Sequence, residues 1–301
     1  MRTDLDHLPA AKQRELAHVV RVLFEEFDRN VADATQARKK KARILKIVLY
    51  GSYARGDWVD DPVGGYKSDY DILVVISDPK LTDPIEYWAD ADDRLMRDVT
   101  INKTLSAPVN FIVHDLADLN EQLIHGRPFF VDIAEQGIAL YEAEEFELAT
   151  PRRLPPEEAR AEARKFFDRW YPDAGMRFDL ARTAIERAYR KQAAFDLHQT
   201  TEQLYHCVLL VLTLYSPKSH KLNFLRSHAE EVAPELIAAW PRADKFSRRC
   251  FELLRQAYVN ARYSPHYEIS EEELRWLSDR VAELQALVED VCQRRLRQPV
   301  S

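Results

Sequence analysis

Three prolines within residues 149–156 separate two parts of the chain whose apolar patterns differ. Before this stretch, apolar segments of strand length alternate with segments of helical periodicity, whereas no convincing strand follows Pro155. Proline disfavours a continuous helix, so the stretch suits a boundary. The 301 residues also exceed what one core usually fills. We therefore predict two domains, residues 1–150 and 151–301, of which the first is α+β and the second is an all-α helical bundle.

The first domain is predicted to hold a mixed sheet with helices around it. Its strands are predicted at residues 44–50, 69–76, 109–114 and 138–141. Its helices are predicted at residues 9–30, 84–99, 115–123 and 129–135. In the second domain, amphipathic patterns predict helices at residues 156–171, 178–214, 222–231, 243–261 and 270–296. Ser270 and Glu273 have the spacing of a capping box at the start of the last of these.

The composition excludes several classes of protein. Apolar residues make up 46% and charged residues 31% of the chain, which is typical of a folded globular protein. We expect neither a signal peptide nor a membrane anchor, because the first thirty residues are rich in charge and no later segment reaches about 18 uninterrupted apolar residues. The three cysteines are scattered singly, which argues against a disulfide framework and a zinc site and fits a cytoplasmic protein.

The formal net charge of −7 disfavours a protein that coats nucleic acid through its overall field. A local basic site is still allowed, and residues 38–43 are almost all basic. We interpret this stretch as a solvated linker or helix end, with a nucleic-acid contact as the alternative.

Four of the seven glycines lie between residues 51 and 65, directly after the first predicted strand. Glycine is needed where a backbone turns sharply or approaches a ligand closely. A turn at Gly51 would present backbone N–H groups, to which Ser52 adds a hydroxyl group and Arg55 a guanidinium. These residues predict a phosphate-binding loop, although a Gly-Ser turn after a strand is common.

Two aspartates begin the second predicted strand. Asp69 and Asp71 are two residues apart, so in a strand both carboxylates emerge on one face, about 7 Å apart. Such a pair could hold one or two divalent cations, and oxygen ligands select magnesium or manganese over zinc. The alternative is that both cap the strand on its solvent side. The apolar residues 72–76 disfavour this, because they predict a central strand, at whose mouth two carboxylates repel each other unless a cation lies between them.

Residues 51–56 and 68–74, which contain Gly-Ser-x-Ala-Arg-Gly and Ser-Asp-x-Asp-Ile-x-Val, resemble the signature of polymerase-β-like nucleotidyltransferases. The resemblance covers about residues 40–115 and is strongest to the minimal group and the aminoglycoside nucleotidyltransferases. It implies that Gly51, Ser52 and Arg55 bind the phosphates of an NTP, with ATP expected, and that Asp69 and Asp71 hold Mg²⁺ or Mn²⁺. The implied reaction transfers a nucleoside monophosphate to a hydroxyl acceptor and releases pyrophosphate.

The sequence departs from that family at one position. The family usually carries a third carboxylate on a later strand, where this chain has Asn110. An amide can coordinate a cation, but it brings no charge and cannot act as a base. We expect Asn110 to weaken transfer, and His114 is a candidate substitute base, although a histidine at a strand end is more often structural.

Residues 160–296 resemble the HEPN domain, a helical bundle often fused to or encoded beside minimal nucleotidyltransferases. The resemblance rests on residues 193–207, 219–222 and 257–263. It implies a possible RNA ligand, since many HEPN proteins are ribonucleases that use an arginine and a histidine with four to six residues between them. Here Arg262 and His266 enclose only three residues, one of them Pro265, so we expect a degenerate catalytic pair. The alternative is that Arg262 packs at a helix end while His266 lies in a solvated turn. His198, His206 and His220 show no carboxylate or cysteine at metal-ligand spacing.

Three functions follow as hypotheses. The first is a nucleotidyltransferase that modifies a protein or a small molecule. The second is a nucleotide-binding regulatory module of the toxin–antitoxin type, in which the helical domain binds a partner or RNA. The third is an enzyme similar to the aminoglycoside nucleotidyltransferases. Because helical bundles of this kind commonly pair, we expect a homodimer.

Overall fold

A computed structural model describes residues 1–32, 42–61, 66–144 and 146–297. The chain divides into two compact units, Met1–Arg153 and Leu154–Ser301, so the division falls three residues after the predicted boundary. The first unit, called the sheet unit below, contains a mixed sheet with helices, and the second, called the helical unit, is helical. The predicted fold class, α+β followed by an all-α bundle, is confirmed.

The sheet unit contains six strands and six α-helices among its described residues, together with a 3₁₀ turn at Pro79–Leu81. Their bounds are α1 Ala10–Ala32, β1 Ile44–Tyr50, α2 Gly51–Arg55, β2 Asp60–Asp61, β3 Tyr66–Lys67, β4 Tyr70–Ile76, α3 Pro84–Tyr87, α4 Ala89–Thr100, β5 Val109–Asp115, α5 Leu116–Ile124, α6 Pro128–Gln136 and β6 Ile138–Glu142.

Four of these strands form one sheet in the order β5-β4-β1-β6. β1 is antiparallel to β4 and β6, whereas β4 and β5 are parallel. β1 and β4 are buried along their whole length, as expected for apolar central strands. The apolar face of α1, with Leu16, Val19 and Leu23, belongs to the same core as this sheet. The end of β1 and the starts of β4 and β5 meet at one edge of the sheet, since Asp71 pairs with both Tyr50 and Asn110.

The first residues of the chain lie against this sheet. Arg2 forms a parallel bridge with Ile138 of β6, and the Ala139 amide donates to the Arg2 carbonyl at 2.8 Å. The Arg2 guanidinium donates to the carbonyl of Ala54 in α2 at 3.1 Å. This N-terminal segment therefore contacts both the outer strand β6 and the helix that follows β1.

One predicted helix of the sheet unit is interrupted. We predicted a single helix over residues 84–99, but α3 ends at Tyr87 and α4 begins at Ala89. Trp88 lies between them with φ −126° and ψ 0°, which is not a helical conformation. Its buried indole N–H donates to the Leu81 carbonyl at 2.7 Å. Burial of this large side chain with its hydrogen bond satisfied accounts for the break, which helical periodicity does not reveal.

The helical unit contains five α-helices among its described residues, together with a 3₁₀ segment at Pro234–Ala239. Their bounds are α7 Pro156–Glu186, α8 Arg190–Thr213, α9 Leu222–Val232, α10 Lys245–Tyr263 and α11 Glu271–Arg297. The central helix is α8, which packs against all four of the others. The predicted capping box is confirmed: the Glu273 amide donates to Ser270 Oγ at 3.1 Å, and the Ser270 amide donates to Glu273 Oε2 at 2.8 Å.

The first two helices of this unit differ from the prediction. We predicted a break between residues 171 and 178, but α7 continues through Pro172. Phe167, Ala174 and Phe178 are buried on both sides of the proline, and this packing outweighs the loss of one backbone hydrogen bond. The break comes instead after Glu186, where Ala188 adopts the left-handed conformation with φ +57°. An alanine gives no sequence signal for such a conformation.

Two sequence features need separate mention. Of the basic stretch 38–43, residues 38–41 lie outside the described residues, and the Arg43 amide donates to Ser77 Oγ at 3.0 Å. Within the described ranges, each helix is too short or too polar to cross a bilayer.

Candidate active site

The turn between β1 and α2 brings the predicted phosphate-binding residues to the end of a central strand. Gly51 has φ +70°, a conformation that favours glycine and lets the chain turn directly from strand into helix. Gly56, with φ +88°, ends the helix, and its amide donates to the Ser52 carbonyl at 2.9 Å. Ser52 is half-buried, whereas Arg55 is exposed and donates to Asp57 at 3.3 Å.

The two aspartates and Asn110 meet on the neighbouring strands. Asp71 pairs in parallel register with Asn110, and registered neighbours present their side chains on the same face of a sheet. The Asn110 side-chain amide donates to Asp69 Oδ2 at 2.7 Å. Asp71 is only 4% exposed, and Asp69 is half-buried. The structure thus brings together the three residues that the sequence analysis placed in one catalytic group.

Ser68 connects the segment after α2 to these aspartates. Its amide donates to the Val59 carbonyl at 2.9 Å, and its hydroxyl accepts from the Val59 amide at 2.9 Å. The chain after α2 is therefore attached directly beside Asp69. On the other side, the Tyr53 ring of α2 contacts the Tyr70 ring of β4, with centroids 4.4 Å apart. Both contacts fix α2 relative to the start of β4.

Two residues of α1 contribute polar groups that the sequence analysis missed. Glu15 accepts hydrogen bonds from the Tyr70 hydroxyl and the Ser106 amide, each at 2.9 Å. Lys12 lies with its Nζ atom 5.3 Å from the centroids of Tyr53 and Tyr70, and partial burial lowers its pKa. Their spacing of three places them on one helix face. No sequence pattern indicates that this face meets β4.

Asp69 and Asp71 are the candidate ligands for a divalent cation. Among the described residues, no three His, Cys, Asp or Glu side chains converge as metal ligands. Asp69 and Asp71 offer carboxylate oxygens, the ligands that Mg²⁺ and Mn²⁺ prefer. Mg²⁺ is usually held in proteins by one or two carboxylates, with substrate phosphates and water as the other ligands. Two aspartates therefore fit such an ion when a nucleotide supplies further oxygens.

His114 does not join this group. It follows Asn110 by four residues along β5, which is about 13 Å in a strand. Its Nδ1 atom lies 2.5 Å from Asp118 Oδ2, and its ring contacts Phe130 edge to face. Asp115 caps α5 by accepting from the amides of Ala117 and Asp118. The hypothesis that His114 replaces the missing base is therefore not supported by its position.

In the helical unit, Arg262 and His266 lie on different elements. Arg262 is in the last turn of α10, and its Nε atom donates to the Tyr258 carbonyl at 2.7 Å. The helix ends at Tyr263, before Pro265, and the exposed His266 follows in a turn where its amide donates to Ser264 Oγ at 3.2 Å.

Three of the histidines of the helical unit, His198, His206 and His220, lie around one carboxylate. Glu202 has side-chain oxygens within 4.0 Å of a ring nitrogen of His198, His206 and His220. The sequence analysis considered these histidines only as metal ligands, and it missed Glu202 as their electrostatic and hydrogen-bonding partner. His198 and His206 are each four residues from Glu202 along α8, so all three lie on one helix face.

Comparisons with known protein families agree with this two-part construction. Residues 33–145 match the family model described as polymerase beta, nucleotidyltransferase. Residues 167–291 match the model of the HEPN domain. Nucleotidyltransferases of the first type generally use a divalent metal. A search of curated proteins found no match to the chain.

Proposed function

We propose that this chain, which joins a polymerase-β-type nucleotidyltransferase domain to a HEPN domain, transfers a nucleoside monophosphate from an NTP to a hydroxyl group of a protein or small molecule. The observation that carries the proposal is the convergence of Asp69, Asp71 and Asn110 at the starts of β4 and β5. Tyr50, which pairs with Asp71, leads directly into the turn at Gly51. We propose that the protein forms a homodimer. ATP is the first nucleotide to test as the substrate.

Each residue of this group has a proposed role. Asp69 and Asp71 would hold Mg²⁺ or Mn²⁺, which neutralises charge on the phosphate oxygens when bound. Gly51 and Ser52 would bind the phosphates through backbone N–H groups and the serine hydroxyl. Arg55, which donates to Asp57 at 3.3 Å, would pair its guanidinium with phosphate oxygens when a nucleotide binds.

The reaction is an in-line displacement at the α-phosphorus. The acceptor oxygen forms a bond to phosphorus, the bond from phosphorus to the pyrophosphate oxygen breaks, and pyrophosphate leaves. The hydroxyl proton must go to a base. The Asn110 amide cannot take it, and its N–H already donates to Asp69. We therefore propose that the proton passes to solvent and that transfer is slow.

The hydrogen bond from Asn110 to Asp69 also favours a second candidate, a regulatory module that holds nucleotide with little turnover. Such a module would be joined to a HEPN domain, which implies possible RNA binding. This combination would fit the toxin–antitoxin class. The two candidates differ in one measurable property, the rate of pyrophosphate release at saturating nucleotide.

The experiment incubates the whole protein with Mg²⁺ and each labelled NTP, and follows pyrophosphate release and label transfer. Asp71→Asn is expected to weaken Mg²⁺-dependent nucleotide binding by about tenfold or more, because a metal-ligand charge is lost. Asp93→Asn is the matched control, since Asp93 is an exposed carboxylate on α4. Equal binding by wild type and Asp71→Asn would remove the proposed metal site. Tight binding without pyrophosphate release would select the regulatory module.

A further inference from the structure

Glu15 of α1 joins the starts of two strands. Its carboxylate accepts hydrogen bonds from the Tyr70 hydroxyl and the Ser106 amide, each at 2.9 Å, and from the Ser106 hydroxyl at 2.8 Å. Tyr70 is the first residue of β4, and Ser106 lies just before β5, which begins at Val109. One side chain thus holds both strands at the edge of the sheet where the candidate active site lies.

Tyr70 is the residue through which this contact reaches the aspartates. It lies between Asp69 and Asp71 in the chain, and successive residues of a strand point to opposite faces of the sheet. The Tyr70 side chain is buried in the core that contains the apolar face of α1, so the carboxylates of its two neighbours emerge on the other face. A hydrogen bond that fixes the Tyr70 ring therefore also fixes the direction of these carboxylates.

Ser106 is the corresponding residue for β5. Directly after it, the Pro108 carbonyl accepts from the Tyr70 amide at 2.8 Å, which joins the start of β4 to the segment that leads into β5. Two residues further on, the Asn110 side chain donates to Asp69. Because Glu15 holds Ser106, the chain enters β5 at a fixed distance from β4, and Asn110 stays within hydrogen-bond distance of Asp69.

The groups around Glu15 are suited to holding it in place. Burial, with the Glu15 charge as the next cause, raises the pKa of Tyr70, so its hydroxyl keeps its proton at neutral pH and donates. Lys12 Nζ donates to Ser106 Oγ at 2.6 Å, so this hydroxyl accepts from a cation while it donates to Glu15. The carboxylate is therefore held by donors from β4 and from the segment before β5, and a lysine lies on the same helix face.

We propose that Glu15 is a positioning residue for the cation site formed by Asp69 and Asp71. It acts through Tyr70 and Ser106, which keep the starts of β4 and β5 together. This inference rests on the proposed function, because it assumes that the two aspartates hold Mg²⁺ when a nucleotide binds. Removing a partner that orients metal ligands typically lowers metal affinity 10- to 100-fold.

The first experiment titrates the whole protein with Mg²⁺ at a fixed ATP concentration and measures bound ATP by equilibrium dialysis. Tyr70→Phe removes only the hydroxyl that donates to Glu15 and keeps the buried ring. The Mg²⁺ concentration at half-maximal binding should rise about tenfold, the lower end of the range for an indirect partner. Tyr171→Phe is the matched control, since the Tyr171 hydroxyl of the helical unit donates to Glu289 at the same 2.9 Å.

Two substitutions of Glu15 test its role directly. Glu15→Ala also releases Ser106, so its Mg²⁺ midpoint should rise at least as far as that of Tyr70→Phe. Glu15→Gln keeps an oxygen that can accept from both partners, so it should recover most of the wild-type affinity. The double variant Glu15→Ala/Tyr70→Phe should shift no further than Glu15→Ala alone, because the hydroxyl acts only through the carboxylate. Asp28→Asn, at an exposed carboxylate of α1, is the control and should bind as wild type does.

A second measurement needs neither metal nor nucleotide. Hydrogen exchange of the backbone amide at position 70 reports whether the starts of β4 and β5 separate, because this amide donates to the Pro108 carbonyl. In metal-free protein, exchange should be faster in Tyr70→Phe and Glu15→Ala than in wild type. Tyr171→Phe and Asp28→Asn should exchange at the wild-type rate.

Faster exchange together with a higher Mg²⁺ midpoint supports the positioning role. Unchanged exchange would overturn it, as would faster exchange with an unchanged midpoint, which is the result of a purely structural contact. If Asp71→Asn loses Mg²⁺-dependent binding while the midpoint of Tyr70→Phe equals that of wild type, only the role of Glu15 fails. If wild type binds ATP without any dependence on Mg²⁺, the proposed function fails and the role of Glu15 fails with it.

Discussion

The sheet unit and the helical unit assemble their polar groups in different ways. In the sheet unit, Asp71 and Asn110 are 39 positions apart, and strand register alone makes them neighbours. In the helical unit, His198, Glu202 and His206 share one helix face because they are four residues apart. The first group lies at the mouth of a sheet, where its residues can receive a ligand. The second group places a carboxylate inside the core, where the surrounding donors stabilise it. We therefore expect that removing the charge of Asp71 affects mainly the function of the sheet unit, whereas removing the charge of Glu202 affects the stability of the helical unit.

The largest effect is expected from Glu202→Ala. This change removes the carboxylate that lies 3.5 Å from the buried His198 Nε2 and that accepts from the half-buried Gln199, and a buried polar group left without its partner costs roughly 1–3 kcal/mol. We expect the free energy of unfolding of the helical unit to fall by about 2 kcal/mol. Urea denaturation followed by hydrogen exchange in α8 would measure it. Glu283→Ala, at an exposed position of α11, serves as the control. If Glu202→Ala and Glu283→Ala lower the free energy of unfolding equally, Glu202 has no special role in the stability of the helical unit.

The next effect concerns Asn110→Asp. The substitution replaces the hydrogen bond to Asp69 by repulsion between carboxylates, so the metal-free sheet unit should lose about 1 kcal/mol of stability. Mg²⁺ should restore that loss. Nucleotidyl transfer should rise by about tenfold, because the third carboxylate supplies charge and a base.

Thermal melting with and without Mg²⁺ and the pyrophosphate assay would both be applied to this variant. If wild type already turns over rapidly, or if Asn110→Asp abolishes transfer, Asn110 does not occupy the third-ligand position. Asn102→Asp, at an amide in the turn after α4, controls for the added charge.

The smallest effect is a pH dependence in the helical unit. Burial would raise the pKa of Glu202, but the neighbouring His198 and His220 outweigh it and hold the folded-state pKa below 4.5. This carboxylate therefore contributes stability that is present above about pH 4.5 and is lost as the pH falls through the lower folded-state pKa. We expect the difference in free energy of unfolding between wild type and Glu202→Gln to become smaller as the pH falls over that range. A difference in melting temperature between the two proteins that stays constant from about pH 6 to pH 3 would contradict this prediction.

Much of the architecture could be predicted because local patterns were strong. β1 has the predicted bounds, since its residues are apolar apart from Lys46 and the run ends at a glycine. Two breaks were not predictable. Trp88 interrupts a helix through a buried hydrogen bond, and Ala188 takes a left-handed conformation that its residue type does not indicate. At Trp88 tertiary packing decided the backbone, as it did at Pro172, where the helix continues. At the exposed Ala188 the turn is held by local hydrogen bonds, among them the one from the Tyr189 amide to the Ala184 carbonyl at 2.8 Å.

The candidate sites, like the helices, could be predicted only where a local sequence pattern indicates them. The sequence indicates Gly51, Asp69 and Asp71 because glycine and paired carboxylates are unusual around central strands. Their roles in catalysis stay predictions. The cluster around Glu202 was missed, because His220 lies 18 residues further on in a connection whose path no periodicity describes. A search for carboxylates four residues from each histidine would have found the α8 part of it.

The contacts of Arg2 matter for how the protein is handled at the bench. β6 is the outer strand of its sheet, and an uncovered outer strand is a template onto which other chains can add. Arg2 covers one position of that strand and also donates to the Ala54 carbonyl, close to the turn that is predicted to bind phosphate. A purification tag fused directly before Met1 would disturb both contacts at once, so aggregation and altered nucleotide affinity would arise together. A long flexible spacer between tag and chain keeps the two artefacts out of every assay above.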